Sequence, residues 1–206
     1  RARWNNTFYY GDYTGIQLMG TFVSDTPEGA YPVTDLTNAG KARIWGLESE
    51  FSADVAEGVN VRASGSYTNF QYTDLGVAAS LAGNGGPTLD ATEPFTPKWQ
   101  FNVGFDADLP LLQNLGTLTL TGDYSYQTKQ YTDSVNREEI AIPAYGVANV
   151  RLTFKTLEGG WQLSLLGSNI FNKRFDYYRY YVSGEFQRNA TPAPGAEWAL
   201  SARKTF

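Results

Sequence analysis

The sequence predicts an all-β fold, a transmembrane antiparallel β-barrel to which this chain contributes eight strands. Apolar and polar residues alternate through eight segments, which is the pattern of strands with one apolar and one polar face. The connections between these segments alternate between long and short. No run of about 18 apolar residues occurs, so a transmembrane helix is not expected, whereas a barrel needs apolar residues only at alternate positions.

The carboxyl end of the chain shows the alternation most directly. Trp198, Leu200 and Phe206 alternate with polar residues, and Lys204 is the exception on the apolar side. The terminus of a soluble domain usually frays in water, whereas a barrel strand places aromatic residues at the membrane interface. We therefore expect Phe206 to end the last strand at the periplasmic side.

Seven further segments show the same alternation. The opening segment is the least regular and is predicted to run on through Ile16 to Val23. The polar faces are rich in Asn, Gln, Ser and Thr, which suits a water-filled interior better than it suits the outside of a soluble sandwich. The seven segments are residues 4–23, 45–55, 61–67, 99–109, 118–126, 148–154 and 161–165.

The connections differ in length in a regular order. Outer-membrane barrels have short periplasmic turns and longer extracellular loops, whereas a soluble β-sandwich has no reason for this asymmetry. The alternation therefore favours the membrane barrel over the sandwich. Three connections are short, residues 56–58, 110–115 and 157–160, and four are long, approximately residues 24–35, 74–93, 132–139 and 171–195.

Composition excludes several classes of function. The 206 residues include no cysteine and no histidine, and the net charge is −5. Without these side chains a histidine-based triad and a thiol mechanism are excluded, and the commonest metal ligand is missing. We therefore expect no enzyme activity, no cofactor and no resident metal ion. The acidic balance argues against a nucleic-acid partner.

One segment near the end of the chain carries candidate ligand-binding residues. Between residues 174 and 188, aromatic side chains interleave with arginines, which combines stacking faces with fixed donors for anions. The alternative is that these aromatic residues only pack on one another in an extension of two strands, and alternation does not determine which tyrosines face inward. The candidates are Tyr177, Tyr178, Arg179, Tyr181 and Arg188.

Two stretches of the chain resemble motifs of TonB-dependent outer-membrane receptors. Residues 38–51, N-A-G-K-A-R-I-W-G-L-E-S-E-F, are similar to a strand segment of these receptors. Residues 167–175, G-S-N-I-F-N-K-R-F, resemble the signature of their penultimate strand and are the most specific match. The order of these blocks also matches the carboxy-terminal part of the family.

Two shorter matches support the resemblance. Thr96-Pro97 before a strand and Pro194-Gly195 before the last strand are similar to strand entries in the family. Ala196 departs from the pattern, because an arginine usually follows Pro-Gly.

The resemblance implies a fold and a function. Residues 1–206 would form the last eight strands of a barrel of about 22 strands, without the amino-terminal plug. The protein would lie in the bacterial outer membrane and actively import a scarce small-molecule nutrient, most readily a siderophore-type iron chelate. Its partners would be the lipid bilayer and lipopolysaccharide, the remaining barrel strands, the plug, and TonB through the amino-terminal part.

An alternative with a different function stays open at the level of sequence. Eight strands are enough to close a small barrel, which would be structural or adhesin-like and would bind through its loops without transport. The two interpretations differ in one structural respect. In the large barrel the first and last strands of this chain do not pair with each other.

Overall fold

A computed structural model describes residues 1–26, 29–38, 40–76, 87–157, 160–182 and 187–205. Within these ranges no helix is long and apolar enough to cross a membrane. The terminal Phe206 lies outside the described residues. The strands are β1 (Ala2–Thr14), β2 (Gln17–Thr26), β3 (Gly29–Asn38), β4 (Lys41–Ala56), β5 (Val59–Asp74), β6 (Trp99–Leu109), β7 (Gly116–Gln127), β8 (Tyr145–Thr156), β9 (Trp161–Ser168), β10 (Asp176–Val182), β11 (Gln187–Pro192) and β12 (Glu197–Lys204).

Eight of these strands form one antiparallel sheet in the order β1-β4-β5-β6-β7-β8-β9-β12. They correspond to the eight predicted segments. The antiparallel order places the short connections at one end of the sheet and the long ones at the other. The strands β1 and β12 occupy opposite edges of the sheet, and in the described part of the chain they do not pair with each other. This confirms the expectation of the large-barrel interpretation.

The prediction that the opening strand continues to Val23 is wrong. The strand β1 ends at Thr14, and Gly15 turns the chain with a φ of 72°. The next residues form β2, which pairs with β3 in a separate two-stranded sheet. A second separate sheet joins β10 and β11. Backbone groups that extend past the ends of the main sheet need partners, and two of the long connections supply them by folding back as the β2-β3 and β10-β11 pairs.

The apolar face of the main sheet is exposed. It carries Val103, Leu163 and Leu200, which are 48, 49 and 85 % exposed. Towards the end with the long connections, aromatic rings contact one another across β1, β4, β5, β6 and β7, with centroid separations between 4.6 and 6.5 Å. Such a band has the form of the aromatic girdle of a membrane barrel. The ring order is Phe8, Trp45, Tyr67, Trp99, Phe101 and Tyr126.

The polar face is held together by hydrogen bonds between neighbouring strands. Asp106 pairs with Arg62 and accepts a 2.7 Å hydrogen bond from the Thr121 hydroxyl. Thr119 donates to Asp108 in the same way at 2.7 Å. These side chains therefore connect three neighbouring strands, β5, β6 and β7, on the polar face.

Glycines on the sheet lie beneath aromatic rings of the neighbouring strand. A Cβ atom at Gly122 would lie 2.6 Å from Cε1 of Phe105, and one at Gly167 would lie 2.6 Å from Cζ3 of Trp198. Both glycines are the direct cross-strand partners of those aromatic residues. A ring that covers a glycine replaces the side-chain contacts that the glycine lacks. The same direct pairing joins Gly46 with Tyr9 and Gly65 with Phe101.

Candidate ligand-binding site

All five candidate residues lie on one hairpin, formed by β10 and β11. Tyr181 and Arg188 are direct partners in the hairpin register. The register shifts between Asp176 and Tyr178, so Tyr177 lies at a bulge. The side chain of Tyr181 lies outside the described part of the chain. The structure thus brings together the five candidates that the sequence placed on one segment.

The base of the hairpin is closed by Asn169, which belongs to the signature stretch of residues 167–175. Its side chain is buried, and its Nδ2 donates to the carbonyl oxygens of Lys173 at 2.9 Å and Pro194 at 3.1 Å. Its Oδ1 accepts a 2.8 Å hydrogen bond from the Lys173 amide. The φ of Asn169 is 48°, a left-handed conformation that asparagine adopts more readily than most residues. One side chain therefore joins the segment before β10 to the segment after β11.

Replacing Asn169 by alanine is expected to lower the free energy of unfolding by about 1–3 kcal/mol, because the three hydrogen bonds to Lys173 and Pro194 are lost. Asn172→Ala is the matched control, since Asn172 also has a positive φ of 51° but accepts one 3.1 Å hydrogen bond, from the Ala196 amide. The measurement is the temperature at which the complete receptor loses its folded gel mobility in detergent. Equal losses in both variants would contradict the role of Asn169.

The two arginines of the hairpin bind main-chain carbonyl groups. Arg179 donates through Nε to Asp176 at 2.7 Å and through Nη1 to the carbonyl oxygen of Ala141 at 2.7 Å. Arg188 donates through Nη1 to the carbonyl oxygen of Glu139 at 3.2 Å. Both contacts reach the connection between β7 and β8. The guanidinium groups therefore hold the hairpin against a neighbouring loop.

Aromatic rings lie on the hairpin and at its base. Tyr178 stacks on Tyr180 with centroids 5.7 Å apart and on Phe95 with centroids 5.9 Å apart. At the base, Phe175 stacks on Tyr145 at 4.0 Å, and its ring meets Tyr177 edge to face at 5.4 Å.

The sequence analysis did not find Phe95, Tyr145, Phe175 or Tyr180 as site residues. Tyr180 could have been found, because it follows Tyr178 by two residues on one strand and therefore shares its face. No sequence signal places Phe95, which lies in the connection between β5 and β6, beside the hairpin.

The connections around the hairpin are fastened to one another. The Phe95 amide donates to the carbonyl oxygen of Tyr131 at 2.9 Å. Asn136 accepts from the Thr92 amide at 2.7 Å and donates to the Thr92 carbonyl oxygen at 2.9 Å. We call the described parts of residues 87–98, 128–144 and 169–196 the rim. Its three connections form one connected surface.

An ion pair on the rim responds to pH in a defined direction. Lys129 Nζ lies 2.7 Å from Oε1 of Glu138, and the Tyr131 hydroxyl donates to the same oxygen at 2.6 Å. The hydrogen bond from Lys129 is the main reason that the pKa of Glu138 is lowered, and Tyr131 contributes. The contact is therefore fully present above the ordinary pKa of a glutamate and is lost as the pH falls through the lowered value.

Below the rim, the polar face of the sheet encloses a concave space of about 510 Å³. Glu48 and Glu50 line it, and within the described residues neither carboxylate has a hydrogen-bond or ion-pair partner. No group of three potential metal ligands occurs in that same part of the chain. Hydroxyl and amide side chains make up most of the remaining wall, namely Ser64, Ser66, Gln100, Asn102, Ser125 and Gln127.

Comparisons with known proteins agree on the fold. The family model "TonB dependent receptor-like, beta-barrel" matches residues 1–172. The ferric-pyoverdine M114 receptor PbuA of Pseudomonas sp. (strain M114) is 26 % identical over 145 residues, which are 67 % of this chain and 16 % of that protein.

Solved structures also match over the whole chain. The ferric yersiniabactin uptake receptor FyuA from Yersinia pestis matches with a TM-score of 0.71 at 16 % identity, over 100 % of this chain and 35 % of that one. The pyoverdine outer membrane receptor FpvA from Pseudomonas aeruginosa PAO1 matches with a TM-score of 0.68 at 16 % identity, over 100 % of this chain and 27 % of that one. The chain thus spans about a sixth of the curated relative and about a third or less of these structures.

Proposed function

The chain belongs to the TonB-dependent receptor-like β-barrel family, and from this premise we propose that it forms part of the wall of a receptor that imports a scarce nutrient. The nutrient we propose is a siderophore-type iron chelate, because PbuA and FyuA, to which this chain is similar, are receptors for ferric pyoverdine and ferric yersiniabactin. The family is one of bacterial outer-membrane receptors rather than enzymes. The observation that carries the proposal is the family match over residues 1–172.

The remaining strands of a barrel of about 22 strands would pair with the two edges of the sheet. Strand edges that face lipid are unstable, because each unsatisfied backbone group there costs several kcal/mol. In this proposal β1 and β12 pair with strands of the rest of the receptor, and the exposed apolar face contacts the bilayer and lipopolysaccharide.

A plug would occupy the space beside the polar face. Charge supports this part of the proposal, because Glu48 and Glu50 face that space without a described partner. Arginine or lysine side chains of a plug could pair with them where water is excluded, and such charge-assisted hydrogen bonds are stronger than neutral ones. In this proposal TonB acts on the plug through the amino-terminal part of the receptor. The nutrient then passes through the interior of the barrel.

The proposed function is tested with the complete receptor gene. A strain without the gene is expected to lose growth when iron is supplied only as the cognate chelate, and a plasmid copy is expected to restore it. Restoration should require TonB. Binding without TonB-dependent uptake would overturn the proposal and favour the barrel that binds through its loops without transport.

Capture of the nutrient by the hairpin is a second part of the proposal. Tyr177, Tyr178, Arg179, Tyr181 and Arg188 would form or support the surface that binds it, because aromatic faces stand beside guanidinium groups there.

Changing Tyr178, Arg179 and Tyr181 together to alanine is expected to weaken uptake while the surface abundance of the receptor stays unchanged. Phe171→Ala is the control, since that side chain is 76 % exposed in the same connection and has no ring contact in the described residues. Unimpaired uptake in the triple variant would leave the hairpin with a packing role alone.

A further inference from the structure

Three rings of the rim form a continuous stack that spans two connections. Phe95 comes from the connection between β5 and β6, whereas Tyr178 and Tyr180 come from β10. The planes of neighbouring rings differ by 23° at both contacts, and the centroids are 5.9 and 5.7 Å apart. These values describe offset stacking, the arrangement that aromatic pairs favour. We call these three residues the ring stack.

The ring stack is open to solvent. Phe95, Tyr178 and Tyr180 are 48, 41 and 42 % exposed. Roughly half of each residue's surface is therefore still accessible to a ligand. A further planar ring can extend the stack in the same geometry.

The backbone of Phe95 is held in an unusual conformation. Its φ is 56°, in the left-handed region that bulky residues rarely adopt. The hydrogen bond from its amide to Tyr131 holds it there. Strained residues of this kind persist where the surroundings impose them, and they concentrate at ligand clamps. At Phe95 the strain accompanies the contact of the ring with Tyr178.

The arginines beside the ring stack make main-chain contacts. Arg179 and Arg188 donate to the carbonyl oxygens of Ala141 and Glu139. The hydroxyl groups of Tyr178 and Tyr180 have no hydrogen-bond partner among the described residues. What the ring stack itself presents to a ligand is flat apolar faces with two phenol hydroxyls that have no described partner, which suits an aromatic ring with polar substituents.

We propose that the ring stack binds an aryl ring of the transported chelate, with Phe95 as a ligand-contacting residue supplied by a second connection. The proposal rests on the proposed function and narrows it to chelates that carry an aryl group. The arginines act as positioning residues that hold β10 where its tyrosines meet Phe95. An aryl ring stacks on the exposed faces, and its polar substituents bind the phenol hydroxyls.

The test uses two neutral iron complexes that differ only in the ring. Ferric tris(benzohydroxamate) carries phenyl groups where ferric tris(acetohydroxamate) carries methyl groups. Binding of each to the complete receptor is measured on energy-depleted cells, and the surface abundance of the receptor is measured in parallel. Wild-type receptor is expected to prefer the benzohydroxamate complex.

Phe95→Leu keeps apolar volume and removes one ring. It is expected to weaken binding of the benzohydroxamate complex by roughly two- to tenfold, the effect of one lost aromatic contact, and to leave the acetohydroxamate complex unchanged. Phe171→Leu is the matched control and should alter neither. The proposal is overturned if wild type shows no preference between the complexes, or if Phe95→Leu keeps the full preference.

Measuring uptake and binding preference together distinguishes failure of the proposed transport function from failure of the aryl site. If TonB-dependent iron uptake is absent but Phe95→Leu still abolishes the preference for the phenyl complex, the aryl site stands and transport is refuted. If uptake depends on TonB but the preference survives in Phe95→Leu, transport stands and the aryl site is refuted.

Discussion

Val103→Arg is expected to remove most folded receptor from the outer membrane. Val103 lies in the middle of β6, on the exposed apolar face, between Ala63 of β5 and Tyr124 of β7. An arginine on the lipid face near the middle of the bilayer costs about 2–4 kcal/mol. The measurement is the amount of receptor in purified outer membranes that keeps its folded mobility in an unboiled gel.

The neighbouring residue provides the control. Asn102 lies on the polar face, where its Nδ2 donates to Ser125 at 3.0 Å, and it borders the concave space. An arginine at this position enters water and lies on the same wall as Glu50, so Asn102→Arg should assemble almost normally. Equal damage from the two changes would contradict the assignment of one face to lipid and the other to the lumen.

Gly122→Ala is expected to destabilise the barrel by about 1–3 kcal/mol, because the added methyl group enters the space of the Phe105 ring. The nearest atoms that it would meet all belong to that ring, so removing the ring should relieve the clash. In the double variant Gly122→Ala with Phe105→Ala, the cost should therefore be smaller than the sum of the two single costs.

The size of this coupling is the quantity to measure. Residues in direct contact usually show coupling energies of about 0.5–3 kcal/mol. Unfolding of the complete receptor in detergent, followed for the wild type, both single variants and the double variant, gives the value. Additive costs would show that Phe105 and Gly122 do not share the space that the structure gives them.

The sheet could be predicted from the sequence because its pattern is local. Alternation alone placed a strand at residues 99–109, and β6 has the bounds Trp99–Leu109. The same alternation assigns Val103 to the apolar face and Asn102 to the polar face, since successive side chains of a strand point to opposite sides. Membership of the receptor family confirms the predicted fold class, the outer-membrane location and the absence of an enzyme function.

Contacts between distant segments could not be predicted. The pairing of β2 with β3 was not predicted. Gly15, where the chain turns, lies inside a segment whose alternation is that of a single strand. The contact of Phe95 with Tyr178 joins two connections whose lengths are visible in the sequence but whose paths are not. For Asn169, the sequence showed a resemblance to a family signature, and only the structure shows that its side chain closes the hairpin.

The glycines beneath aromatic rings also favour one register between neighbouring strands. If β6 slipped by two residues against β7, Phe105 would face Leu120 or Tyr124 instead of Gly122, and its ring would lose the open space above the glycine. The same slip of β12 would bring Trp198 against Leu165. Each such pair therefore selects one stagger between its strands. Because accumulated stagger and strand number together fix the tilt and diameter of a barrel, these small residues would help to set the diameter of a barrel that contains this sheet.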